Sequence, residues 1–598
     1  MTSDLDRLCE ERGIELSYIS ETGQHVILAD DVKRALLETL GDGVDASVCA
    51  DERLAKKSRC FIPGWLRESR AWGVTVQLFG VRSARNQGIG DFEDVARLCE
   101  LLGPFGADFL GINPVHALFL ADPTRTSPYS PSTRRYLNPL YLALNKVEGA
   151  AQALSRDESE ALRSGDHVDY AAVTDLKRRA FEHAFALGVS EAGFEAFCNR
   201  EGRALDDFAT FEVLSEWFAG RGYGAGWHTW PEAFHSAQSD SVLAFRHTHA
   251  QRVRFHKWLQ WLADKQLADA QRRARAAGMR IGLYLDLAVG VAPDGAATWA
   301  QPRSYASQVR VGAPPDAFNS AGQDWGLSPI RPQALCGTEA AFGHDLAAAM
   351  RWAGAVRLDH AMGLKRLYWI PADFEARAGG YIRYPLERTL KVLAEVSQEN
   401  RVVVIGEDLG TVPVGFRDTM ERAGLLGYRV FYFEREDDGR FRSPRSYTAE
   451  ALACVSTHDL PPFQGWWDGG DIAAREGLGK LDAGDAAVLR NARGEDRNRL
   501  LEALTAEALV PDGDDTGVSA DDILTAVHVF LARTPCRLCA VQLEDLCRAT
   551  EQVNMPGTHR EYRNWSLRLP LTFEELAGDP LVLRTLGVVA RERPKVLP

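Results

Sequence analysis

The stretch AVRLDHAM, residues 355–362, decides how this chain is read. Ala355, Val356 and Leu358 suit a strand buried on both faces. Arg357, Asp359 and His360 then set three polar groups into four positions. Burying a charge is costly unless it is paired. A carboxylate at the end of a buried strand therefore needs a reason. The arginine two residues before it points the same way in extended backbone.

Seven other runs share this form. They are GVTVQLFG (73–80), ADFLGINPV (107–115), RIGLYLDLAV (280–289), VVVIGEDLG (402–410), GYRVFYFE (427–434), ACVSTHDL (453–460) and RLCAVQLEDL (537–546). Each is nearly continuous in apolar residues and ends in polar ones or glycine, as strands of a parallel sheet do. Most are followed by a helical pattern. Eight such units predict an α/β fold, a (β/α)8 TIM barrel. Periodicity alone leaves a doubly wound sheet open. Residues 1–62 read as a small amino-terminal module. There Asp31 is positioned to cap a helix bearing Leu36, Leu37 and Leu40, and GDGVDAS (41–47) reads as a loop. Residues 63–598 then form the catalytic barrel. A subdomain is inserted mainly within 116–278, and active-site loops are expected at 290–350 and 460–536.

With 598 residues, the chain is long enough for such a barrel plus additions. Its formal net charge of -14 argues against nucleic acid and against an anionic membrane surface as partner. No signal pattern opens the chain, and no apolar run reaches the roughly 18 residues of a membrane span. The 10 cysteines are scattered through apolar stretches and read as reduced thiols of a cytoplasmic protein. Cys536 and Cys539 form a CxxC with no second pair at zinc spacing, so they read as core residues. No D-x-D-x-D-G calcium loop is present, and neither metal nor cofactor is expected.

In barrels the active site lies at the carboxyl ends of the strands. Several runs end in acids there: Asp286 followed by Asp294, Asp359, Glu407 and Asp408, His458 with Asp459, Glu544 and Asp545. Carboxylates gathered on one rim repel, so a shared pocket needs a purpose. Glycosidic-bond chemistry supplies one. One carboxyl donates a proton to the leaving oxygen, and another stays ionised to attack the sugar. A cation nearby favours the ionised form, which casts Asp359 beside Arg357 as the nucleophile and Glu407 as the proton donor. Sugars also stack on aromatic faces. Tyr129, Trp299, Trp325, Trp466, Trp467 and Trp565 fall in segments after strands, although such rings pack cores as well.

At this point the sequence resembles glycoside hydrolase family 77, the bacterial 4-α-glucanotransferases (amylomaltases or disproportionating enzymes). The resemblance rests on WGVTVQLFGVRSARNQGIGDFED (72–94), SPYSPSTRRYLNPLYL (127–142), IGLYLDLAVGVAPDGAATW (281–299), GAPPDAFNSAGQDWGL (312–327), VRLDHAMGLKRLYWIP (356–371), IGEDLGTVP (405–413), STHDLP (456–461), QVNMPGT (552–558) and the pair Asn564–Trp565. It covers nearly the whole chain. It implies that Asp359 is the nucleophile, Glu407 the acid/base and Asp459 the third carboxylate, which binds ring hydroxyls. It further implies that Arg357 holds the nucleophile and His458 bonds donor-site hydroxyls. Tyr129, Asp294, Trp325 and Asn564 match positions that contact substrate. The implied reaction is retaining, with carboxyls roughly 5 Å apart, on maltooligosaccharides and other α-1,4-glucans. Oligomeric state is not implied.

The chain departs from the family's usual pattern at Ser328, where proline is usual, at Pro462 and Phe463, where threonine is expected, and at Arg563, another usual proline. These sites concern loop geometry and chain-length preference, not the three carboxylates. An α-amylase-type hydrolase would use the same carboxylates, and a non-catalytic glycan-binding barrel would be expected to have lost one of them. Transfer and hydrolysis differ in whether water reaches the covalent intermediate.

Overall fold

In a computed structural model, the structure describes residues 3–20, 23–40, 58–188, 193–315, 321–337, 340–511, 517–558 and 560–595. The eight apolar runs are eight strands: β1 (Ala71–Val76), β2 (Phe109–Ile112), β3 (Gly282–Leu287), β4 (Ala355–Leu358), β5 (Val403–Gly406), β6 (Gly427–Val430), β7 (Ala451–Cys454) and β8 (Leu538–Gln542). They pair in parallel in the order β5-β4-β3-β2-β1-β8-β7-β6. The two outer strands then meet. Leu426 N–H donates to Val404 O at 2.9 Å, and Gly406 N–H donates to Leu426 O at 2.8 Å. The sheet therefore closes into a (β/α)8 barrel, and the doubly wound alternative falls away.

The strands form here because their residues are buried almost without exception; all of β2, β3, β4 and β5 are. Close packing at the barrel base needs glycine at one point. A Cβ on Gly354 would lie 1.7 Å from Ile281 O. Helices cover the outside. The first, Phe92–Leu102, is opened by a capping box between Asp91 and Asp94 and turns Val95, Leu98, Cys99 and Leu102 inward. Helices Ala341–Met350, Leu386–Asn400, Phe416–Ala423, Ala520–Ala532 and Pro580–Glu592 follow later strands. The β6–β7 connection carries only short 3-10 turns.

Among the described residues, the long interval between β2 and β3 holds five α-helices, from Arg156–Ser164 to Ala250–Ala276. Beside the barrel mouth lies a second, antiparallel sheet of four strands: Gly380–Arg383, Arg366–Pro371, Val309–Ala313 and Gln323–Leu327. Near the amino terminus, helix Asp30–Leu40 buries Leu36 and Leu40. It begins two residues earlier than expected, so Asp31 accepts from Val32 N–H instead of acting as the cap. The GDGVDAS stretch lies outside the described residues. Cys536 and Cys539 are fully buried thiols.

The seam between β5 and β6 is clamped by Asp408. This carboxylate is 0% exposed. It accepts from Tyr428 N–H (2.7 Å), Arg429 Nη1 (2.9 Å) and Arg417 Nε (2.7 Å). It therefore points away from the barrel mouth, unlike its neighbour Glu407. Removing one partner of a buried ion pair leaves uncompensated charge. Asp408→Ala is expected to lower unfolding free energy by about 3 kcal/mol or more, read as a lower urea midpoint.

Candidate active site

The site is built on strand register. Arg357 on β4 lies directly opposite Asp286 on β3, so both side chains enter the barrel mouth. Arg357 Nη1 donates to both Asp286 oxygens at 2.9 Å. Its Nη2 lies 2.9 Å from Asp359 Oδ1. One guanidinium therefore contacts both Asp359 and a second carboxylate, Asp286. Strand pairing continues one residue past β4, where Asp359 N–H donates to Leu287 O at 3.0 Å.

His360 then breaks the strand. Its φ of 48° and ψ of 60° are left-handed, which is uncommon for a residue bearing a Cβ. The conformation turns its N–H onto Glu407 Oε2 at 3.0 Å. Leu409 N–H bonds the other oxygen at 2.7 Å. Burial pushes the Glu407 carboxyl up to about 7, with Arg357 opposing and Asp359 reinforcing the rise. A carboxyl that keeps its proton near neutrality is suited to general-acid work.

Asp459 follows β7. Its oxygens meet Asn554 Nδ2 at 2.6 Å and His458 Nε2 at 3.2 Å. Desolvation would raise this carboxyl, but His458 and Asn554 outweigh it and hold it below its usual value. The side chain is 46% exposed to the cleft, so solvent screens these interactions. The opposite face of His458 meets Tyr129: Nδ1 lies 3.0 Å from the hydroxyl, and the two rings stack at 4.3 Å. Tyr129 has one proton, and its hydroxyl donates to Asp286 Oδ2 at 2.7 Å. The network thus assigns N–H to both ring nitrogens of His458. Burial works against this charge, and Asp459 more than offsets it, so His458 titrates above its ordinary value.

These groups line one open cleft of about 2840 Å³ that also receives Trp325, Trp466, Asn564 and Trp565. Trp325 sits edge-on to His360 at 5.1 Å, and Trp565 packs 5.2 Å from Tyr129. Asp294 is held by both arms of Arg125, at 2.9 and 2.8 Å, outside the cleft lining. Asn564 lines the cleft but spends its amide on Met555 N–H and Thr558. Among the other rim acids, Glu544 accepts from Gln77 N–H beneath the site, and Asp545 is fully buried against Phe463 N–H. Trp299 is 1% exposed among Phe211 and Trp230, a core residue. Trp467 stacks on Phe463.

Sequence reasoning did not single out Asn554 or Gln552, which hold Asp459 through its carboxylate and its carbonyl. The signal was their place in QVNMPGT; an amide in a loop carries no periodicity. Ser328 uses its N–H to reach Val291 O at 2.8 Å, a bond proline cannot make.

A family model described as 4-alpha-glucanotransferase (glycoside hydrolase family 77) matches residues 76–572. A 4-alpha-glucanotransferase of Mycobacterium tuberculosis is 39% identical over 548 residues, covering 88% of this chain and 74% of that protein. One of Haemophilus influenzae is 34% identical over 550 residues, 87% and 78% of the two chains. The crystal structure of amylomaltase from Corynebacterium glutamicum superposes with a TM-score of 0.84 at 28% identity, covering 98% of this chain and 99% of that one. An amylomaltase from Streptococcus agalactiae in complex with acarbose, 20% identical with a TM-score of 0.71 and covering 87% and 99%, shares the fold. Asp359, Glu407 and Asp459 stand at one barrel mouth inside the matched span, and the chain belongs to the 4-alpha-glucanotransferase family.

Proposed function

We propose that this chain moves a segment of an α-1,4-glucan from a donor to the 4-OH of an acceptor glucan or glucose by retaining double displacement. Asp359 attacks the anomeric carbon while Glu407 gives its proton to the departing glycosidic oxygen. The acceptor hydroxyl then attacks the glycosyl–Asp359 ester, returns a proton to Glu407 and releases the carboxylate. Asp459 and His458 hold ring hydroxyls on the donor side. Tyr129, Trp325 and Trp565 offer apolar faces to sugar rings.

The observation that carries this reading is the division of labour between neighbouring strands. Asp359 is bound to a guanidinium, while Glu407 is desolvated and pushed up to about 7. A carboxylate paired with a guanidinium beside a desolvated carboxyl raised toward neutrality is the arrangement of a nucleophile and an acid. Family membership favours a sugar over water as the acceptor. Maltooligosaccharides are the expected substrates. Among the described residues no helix is long and apolar enough to cross a membrane. We infer a cytoplasmic site of action from the cysteines scattered through apolar stretches, which read as reduced thiols.

The deciding experiment is maltotriose with the pure protein and no added metal. Free glucose should rise while total reducing ends stay constant. Reducing ends rising in step with glucose would mean water is the acceptor and would replace transfer by hydrolysis.

Asp359→Asn should abolish turnover of every donor. Glu407→Gln should lose maltotriose activity yet turn over α-glucosyl fluoride with azide as acceptor. Fluoride leaves without protonation, and azide attacks without a base. Equal loss on both donor–acceptor pairs would remove Glu407 from the acid/base role.

The pH dependence has a definite sign. The acid works protonated, so kcat/KM for maltotriose should fall as pH rises through about 7, the value to which burial pushes Glu407. The fluoride–azide reaction should lack that alkaline limb. An alkaline limb of equal position in both reactions would assign it to another group.

A further inference from the structure

Asp459 is approached by the chain that follows β8. Asn554 Nδ2 donates to its Oδ1 at 2.6 Å, and Gln552 Nε2 donates to its backbone O at 3.1 Å. An ionised carboxylate only accepts hydrogen bonds, so the Asn554 amide must turn its nitrogen toward Asp459. His458 Nε2 stands at the other oxygen, 3.2 Å from Oδ2. Two donors from separate segments thus fix the plane of a carboxylate that opens onto the cleft.

Asn554 is itself gripped on both sides. Its neighbour Val553 accepts Trp565 N–H at 2.9 Å, and its neighbour Met555 donates N–H to Asn564 Oδ1 at 2.8 Å. The Asn564 amide nitrogen donates to Thr558 O at 3.2 Å and to Thr558 Oγ1 at 2.9 Å, and that hydroxyl donates to Met555 O at 2.6 Å. Asn564 therefore closes a ring of hydrogen bonds around residues 555–558. Trp565 O accepts from the Tyr170 hydroxyl at 2.6 Å, which anchors the pair to the inserted subdomain. The Tyr562 hydroxyl donates to Gln552 O at 2.6 Å.

We propose that Asn554 is a positioning residue for Asp459, and that Asn564 acts through it by holding Met555. This inference rests on the donor-side role given to Asp459 above. A carboxylate that binds ring hydroxyls must be ionised and correctly placed, and Asn554 serves both needs. Desolvation opposes the charged form of Asp459, and His458, Asn554 and, from β4, Arg357 together outweigh it. Both amide hydrogens of Asn564 are spent on Thr558, so its part is to lock the loop.

The test uses the full-length protein with Asn554→Leu, Asn554→Asp, Asn564→Leu and the double variant Asn554→Leu/Asn564→Leu, assayed on maltotriose across pH. Asp459 works ionised, so kcat/KM falls as pH drops through the titration of that carboxyl. Asn554→Leu should lower kcat/KM about tenfold or more at the optimum. It should also move the acid limb up by about half a pH unit or more, because the charged form has lost a donor. Asn554→Asp should move the limb further up, since it sets a like charge beside Asp459. Asn564→Leu should move it in the same direction. The double variant should lose no more than Asn554→Leu alone, since both act on one contact. Lost rate with the acid limb in place would mean a deformed loop and would overturn the inference. Wild-type rate and limb would overturn it too, and losses that add in full would remove Asn564 from the path. Should Asn564→Leu fail to fold by circular dichroism, the two Asn554 variants carry the test. A wild-type protein that leaves maltotriose untouched would defeat the proposed function itself, a separate result from unchanged variants of an active enzyme.

Discussion

One guanidinium organises this molecule's chemistry. Arg357 stands in the barrel mouth among Asp286, Asp359 and Glu407, and it touches only the first two. Three carboxylates gathered around one cation cannot all stay ionised cheaply in a desolvated site. The one that Arg357 does not touch is the one held by two backbone N–H groups and pushed up to about 7. The proposed nucleophile, Asp359, has that contact, and the proposed acid, Glu407, lacks it. Asp459 stands outside this competition because it has its own cation in His458. The two pairs are joined by Tyr129, which bonds both Asp286 and His458. The donor side of the cleft is therefore one connected network.

Register makes that network reproducible. Parallel pairing sets Arg357 opposite Asp286, and the pleat sends Asp359 to the same side. His360, like Trp565 in the cleft wall, is left-handed. Its conformation ends β4 and brings a backbone donor to Glu407 on the next strand. Residues held in sparsely populated regions persist where surroundings over-determine them. Here the surroundings are the Asp359 backbone bond to Leu287 on one side and the Ala361 backbone bond to the Glu407 carbonyl on the other.

Much of this was legible in the sequence. Eight buried parallel strands leave eight apolar runs, and polar residues closing those runs mark the mouth. Asp359, Glu407, Asp459 and Arg357 are among the residues so marked, and the family resemblance is what singles out the three carboxylates. Beyond the strand ends the logic weakens. Glu407 and Asp408 are adjacent acids after one run, yet one faces the cleft and the other is locked between Arg429 and Arg417. Alternation stops with the strand, so sequence spacing cannot rank them. Trp299 and Trp565 both follow apolar runs, and only packing shows that Trp299 belongs to the core. Asp294 reads as a rim acid, but its partner Arg125 comes from the β2–β3 interval. Asn554 and Asp459 meet across 95 positions, and no periodicity announces such a contact.

The choice between sugar and water as acceptor belongs to this less legible part. The carboxylates are the same for either outcome, because either attacks the same ester with help from the same base. What differs is how long the ester waits and what fills the space beside it. That space is bounded by segments that the barrel strands do not fix directly: 123–130, 312–314, 321–325, 457–466, 552–558 and 560–566. Each is tied down by contacts of its own. Tyr129 is held by Asp286, Ser328 by Val291 beyond Trp325, Phe463 by the buried Asp545, and Met555 by Asn564. Ser328 and Phe463, where the chain departs from its family's usual residues, donate two of these ties. Differences in acceptor preference from its relatives should therefore arise in how these walls are held, while the charge arrangement around Arg357 stays the same.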